Sequence, residues 1–130
     1  MAHALSDWEE FYNDGKSFHK RTRMSVGQCQ IFTPTLIQNL AAMSIEKYFM
    51  AIFMNRGILP RNHTMLDLVE ELKQIIPVAP GLEKILLYMD SLQQICSIDN
   101  IRITSPKEDD IPDFLAAVDE VELLADALCK

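Results

Sequence analysis

The chain has 130 residues, 48 % of them apolar and 24 % charged, with a net charge of −7. That length fits one domain able to bury a core without a metal or disulfide staple. The acidic balance argues against general DNA binding, which needs positive surface against the phosphate backbone.

No apolar run reaches the length of a membrane span, and the acidic first residues lack the apolar region of a secretory signal, so a cytoplasmic location is expected. Cys29, Cys96 and Cys129 are odd in number and widely spaced. They form no CxxC pair, so the expectation is reduced thiols, with no metal site and no cofactor. Charge is unevenly spread. Residues 1–63 hold seven Lys/Arg against five Asp/Glu, and residues 64–130 hold five against fourteen.

The periodicity is helical almost throughout, which predicts an all-α fold: an antiparallel up-and-down bundle of about five helices spanning residues 1–130. Helix one is expected from Ser6, with Glu9 three residues on at capping-box spacing. Trp8, Phe11, Tyr12 and Phe18 form its apolar stripe. Gly15 weakens it by about 1 kcal/mol relative to alanine, and its continuity there stays open. So does the state of the basic stretch His19-Lys20-Arg21-Thr22-Arg23, with Gly27 as a candidate break. That stretch reads first as a solvated face and second as an electrostatic patch for RNA or an acidic partner.

Helix two carries the strongest signals. Thr33 caps it, Pro34 takes its first turn and Gly57 stops it. Leu36, Leu40, Met43, Tyr48, Met50, Ala51 and Met54 run along it, and Phe49, Ile52 and Phe53 add apolar side chains at other angles. A helix apolar nearly all round belongs at the centre of the bundle. Ser44, Glu46 and Lys47 then stand out as polar groups. After a turn-rich loop to His63, helix three is expected to present Leu66, Val69, Leu72 and Ile76, ending at Pro77 and Pro80. Helix four runs from Gly81 with Leu82, Ile85, Leu86, Met89, Leu92 and Cys96, followed by a loop over 97–107. Helix five starts near Ile111-Pro112, after Asp109 and Asp110, and continues Phe114, Val118, Val121, Ala125 and Leu128 at seam spacing.

The segment LAAMSIEKYFMAIFMNRGI, from Leu40 to Ile58, joined to His63, Leu66 and Leu68 and to an acidic last helix, resembles the HEPN domain family. The resemblance implies a bundle of antiparallel helices that pairs into homodimers and takes a nucleotide ligand or a nucleotidyltransferase-like partner protein. Many members are ribonucleases with an Arg–polar–His motif near the start of the last helix. No histidine follows His63 here. The resemblance therefore points to the non-nuclease branch, and catalysis is not expected.

The candidate ligand-binding residues are Glu46, Lys47, Arg56, Arg61 and His63. Lysine and arginine suit phosphate, and imidazole donates and accepts near neutrality. Each also has a plainer reading: an exposed ion pair for Glu46 and Lys47, and a cap at the start of helix three for His63, Asn62 or Thr64. Two alternatives accompany the binding module: a ribonuclease using Arg56, Arg61 and His63, and a purely structural protein-interaction domain. An exposed apolar stripe on helix four or five would favour the latter.

Overall fold

The computed structural model describes residues 8–27, 32–60, 64–93 and 106–129. These form five α-helices and no strand: α1 (Trp8–Ser25), α2 (Pro34–Asn55), α3 (Met65–Lys73), α4 (Pro80–Gln93) and α5 (Ile111–Leu128). A 3-10 turn at Glu108–Asp110 leads into α5. The predicted Ser6 cap and the proposed helix-four residue Cys96 lie outside the described residues.

The helix ends follow local chemistry. The Thr33 side chain accepts from the Leu36 N–H, and Pro34 occupies the first turn of α2. Gly57, at φ 74°, stops that helix in left-handed backbone that only glycine adopts cheaply. Gly27, at φ 90°, closes α1 in the same way. Thr64 caps α3: its hydroxyl accepts from the Asp67 N–H at 3.2 Å and donates to the Asp67 carboxylate at 2.7 Å. The cap role weighed for His63 thus belongs to Thr64. Pro80 opens α4, where a missing N–H costs nothing.

Helix α2 is the axis of the fold. Tyr48, Phe49, Ile52 and Phe53 are all 0 % exposed. Around them pack Leu68, Val69 and Leu72 of α3, Leu86 and Met89 of α4, and Phe114, Val118, Val121 and Ala125 of α5. Burying large side chains on every side of one helix is the dominant stabilising term here, at roughly 1.5–3 kcal/mol for each fully buried large apolar side chain.

Three expectations change at the level of helix faces. Leu66 is 41 % exposed, because the Thr64 cap sets an inner face of Met65, Leu68, Val69 and Leu72 and leaves Leu66 one step round. Ile76 lies beyond the end of α3 and packs on the core from the following turn. Met43 is 43 % exposed. With Leu36, Leu40 and Lys47 it lies on one edge of α2, away from the buried Ile37, Ala41, Ile45 and Tyr48.

Helix directions follow from the contacts. Phe11 lies by Lys47, Gly15 by Ser44, and Arg21 and Met24 by Leu36 and Leu40, so α1 and α2 are antiparallel. Tyr12 meets Asp126, Lys16 meets Glu122 and Arg23 meets Asp119, so α1 and α5 are antiparallel too. Helices α2 and α5 therefore run in the same direction. α3 and α4 form an antiparallel pair, tied by the Leu66 N–H to Asp90 at 3.3 Å and by Lys73 to Glu83 at 3.1 Å.

Candidate functional site

The second half of α1 is helical without a break, so Lys16, His19, Lys20 and Arg23 share one face at spacings of three, four and seven. On α5, Asp119, Glu122 and Asp126 share a face at three and seven. The antiparallel packing sets the two ladders opposite each other. Lys16 Nζ donates to Glu122 Oε2 at 2.7 Å, His19 Nε2 pairs with Asp119 Oδ1 at 2.7 Å, and Arg23 also pairs with Asp119. Part of the basic charge of α1 is thus set against Asp119 and Glu122 of α5 within the fold.

Gly15 makes this approach possible. A Cβ at that position would lie 2.8 Å from Cδ1 of the fully buried Tyr48 ring. The Gly15 carbonyl in turn accepts from Ser44 Oγ at 2.7 Å, which accounts for the polar Ser44 in the middle of an apolar helix. The glycine read from sequence as a weak point of α1 is the place where α1 presses closest to α2.

His19 is 4 % exposed and forms the floor of the ladder. Its Nδ1 is 3.0 Å from the Tyr48 hydroxyl and 3.5 Å from Glu122 Oε2. With Nε2 on Asp119, both ring nitrogens are engaged by protein groups. The Tyr48 hydroxyl donates to Glu122 Oε2 at 3.2 Å. Burial, then the charge of Glu122, pushes the Tyr48 phenol well above its ordinary value. Burial acts to lower the Lys16 ammonium, but hydrogen bonds to Glu122 and Tyr12 and the charge of Glu122 together hold it above the usual lysine range.

Glu122 shows the same competition with the opposite outcome. Burial acts to raise its carboxyl, but the Lys16 hydrogen bond, the charges of His19 and Lys16 and the Tyr48 hydroxyl together hold it below its ordinary value of 4.5. A carboxylate depressed by folding contributes its stability in full above the unfolded pKa and loses it as pH falls through the folded one. Glu122→Gln is therefore expected to flatten the loss of stability below about pH 4.5 relative to wild type, read from urea midpoints across the acid range. Parallel curves for the two proteins would show that Glu122 takes no part in acid unfolding.

Between the ladders lies a cleft of about 330 Å³, lined by Lys16, His19, Lys20, Arg23 and Glu122. Lys20 is exposed and has no carboxylate partner among the described residues. Among those residues no three His, Cys, Asp or Glu side chains converge on a metal position, and no helix is long and apolar enough to cross a membrane.

Of the residues first singled out, Glu46, Lys47 and Arg56 do not line this cleft. Glu46 and Lys47 are half-buried on α2, and Lys47 Nζ sits 5.4 Å above the Phe11 ring. Arg56 is exposed just past the end of α2, nine residues from Lys47, which is about 14 Å along the axis and half a turn round. Its charge is felt by Cys129, whose thiol burial pushes up to about 11 despite that neighbour. Arg61 and His63 lie outside the described residues.

Compared with protein-family models, curated proteins and solved structures, the chain matches none.

The signal for the α1–α5 site was present in the sequence as two charge ladders of opposite sign, one on each helix. Only their register against each other was missing.

Proposed function

We propose that the chain is a non-catalytic, HEPN-type binding module that holds a nucleotide-like ligand between α1 and α5. The observation that carries this reading is the cleft itself, with Lys16, Lys20 and Arg23 along one lip and Glu122 on the facing wall. At about 330 Å³ it falls at the small end of ligand sites. Arg23 commits one terminal nitrogen to Asp119, and a guanidinium has five N–H donors, so most remain for a phosphate. Lys20 adds an ammonium with no carboxylate partner among the described residues. A ribose hydroxyl has Glu122 as acceptor on the opposite wall. The mixed charge of the site suits a ligand with an anionic end and a hydroxyl-bearing end.

His19 supports the non-catalytic part of this reading. A general base must reach the proton it takes, and neither ring nitrogen of His19 is left to do so. The ribonuclease alternative relies on Arg56 with Arg61 and His63, and the α1–α5 geometry lends it no support. The pairing into homodimers and the nucleotidyltransferase-like partner implied by the HEPN resemblance belong to this same reading.

Isothermal titration with ATP, GTP and AMP, with adenosine as the phosphate-free control, tests the proposal. Lys20→Glu is expected to weaken nucleotide binding by roughly tenfold to a hundredfold, the value of one charged hydrogen bond. It should leave the melting temperature nearly unchanged, because Lys20 is exposed and has no carboxylate partner to lose among the described residues. Lys47→Ala should leave affinity alone. Binding insensitive to Lys20→Glu and abolished by Lys47→Ala would move the site to α2 and overturn this reading.

A further inference from the structure

A second depression lies at the end of the α1–α2 hairpin, outside the nucleotide cleft. Its volume is about 320 Å³, and its lining is Arg21, Met24 and Ser25 of α1, Phe32 before α2, and Leu36 and Leu40 of α2. The apolar lining continues along one edge of α2, where Leu36, Leu40 and Met43 follow at spacings of four and three. These side chains are open to solvent: Met24 is 62 % exposed, Leu36 41 % and Met43 43 %. Scattered exposed leucines need no explanation, but a contiguous apolar groove on a small chain marks an interaction site.

Charge selects the occupant. No carboxylate is among the described lining residues, although the chain as a whole carries −7. Arg21 stands at the rim with its guanidinium 5.6 Å above the Phe18 ring and no carboxylate partner among the described residues. The groove is thus apolar along its length and positive at its α1 lip.

We propose that this groove docks an acidic amphipathic helix of a partner protein. Apolar side chains of that helix at i, i+4 and i+7 lie along Leu36, Leu40 and Met43, and its flanking carboxylates face Arg21. Methionines at the two margins adapt to branched or linear anchors. A second copy of the chain is a poorer occupant. Its own acidic helix, α5, exposes one large apolar side chain, Leu123 at 66 %, between the small Ala116 and Ala127. One anchor does not fill a groove that offers three contacts.

The test is fluorescence anisotropy with three labelled synthetic helices of about four turns. The first carries leucine at i, i+4 and i+7 with flanking glutamates, the second has lysines in place of the glutamates, and the third has alanines in place of the leucines. The first is expected to bind saturably and about tenfold tighter than the second, and the third not at all. Leu36→Asp, at an exposed position that leaves the circular dichroism unchanged, should abolish binding. Arg21→Glu should reverse the preference between the first two peptides. Equal binding of acidic and basic peptides, binding untouched by Leu36→Asp, or no binding would overturn the proposal. So would a doubling of mass in light scattering that Leu36→Asp removes, which would assign the groove to a second copy. None of these outcomes bears on the nucleotide cleft, which Lys20→Glu reads separately.

Discussion

Gly15→Ala is expected to destabilise the protein by about 1–2 kcal/mol, although alanine is the better helix former by about 1 kcal/mol. The added methyl would meet the Tyr48 ring at 2.8 and 2.9 Å, well inside contact distance. Neither side can yield cheaply. The Tyr48 ring is 0 % exposed, and its hydroxyl is held by His19 and Glu122. Moving α1 outward instead would lengthen the Ser44–Gly15 hydrogen bond and the ion pairs to α5 together. Overpacking of this kind costs about 1–3 kcal/mol, which outweighs the gain in propensity. Ser17→Ala, at an exposed position two residues along the same helix, is the control and should stabilise slightly. Urea unfolding of the two variants measures the difference. Stabilisation by both would mean that α1 does not press on Tyr48.

That glycine shows where reading the sequence stops. Its cost to the helix is local and visible, while its benefit is a contact with a residue on another helix and is not. The same division runs through the fold. The α2 boundaries were legible because Thr33, Pro34 and Gly57 act on their own backbone. The α5 seam was legible because Phe114, Val118, Val121 and Ala125 repeat at helical spacing, and all four are fully buried. The inner face of α3 was legible only in Val69 and Leu72, since the rest of it depends on which residue caps the helix and therefore on a one-residue phase.

The candidate site divides likewise. Glu46 and Lys47 stood out as polar groups on an apolar helix, but Lys47 is accounted for by the face of Phe11. The basic stretch of α1 was seen, and so was the excess of acid in residues 64–130. What joins them is a register between helices whose paired residues are about a hundred positions apart, as His19 and Asp119 are at a separation of 100. The uneven charge of the two halves is, in part, one inter-helix ladder cut in the middle. Reading it required α1 to be continuous through Gly15, and that continuity is itself set by the packing on Tyr48.

His19→Ala is expected to cost about 3 kcal/mol of stability and to lower the melting temperature by roughly 10 °C. Two effects combine. The charge-assisted bond to Asp119 is lost, and the imidazole leaves a cavity under α1. Tyr48 is not orphaned, because its hydroxyl keeps Glu122. Tyr48→Phe should accordingly cost only about 1 kcal/mol, and the double variant should fall short of the sum, since the two substitutions remove one shared contact. The position of His19 then separates structure from ligand. Below its melting temperature, His19→Ala should still bind nucleotide, weakened only as far as Lys16 and Arg23 lose their alignment. Lys20→Glu should do the reverse, keeping stability and losing affinity. If His19→Ala instead left stability within about 0.5 kcal/mol of wild type and abolished binding, the imidazole would be a ligand-contacting group. The cleft would then have to open further than its walls now stand.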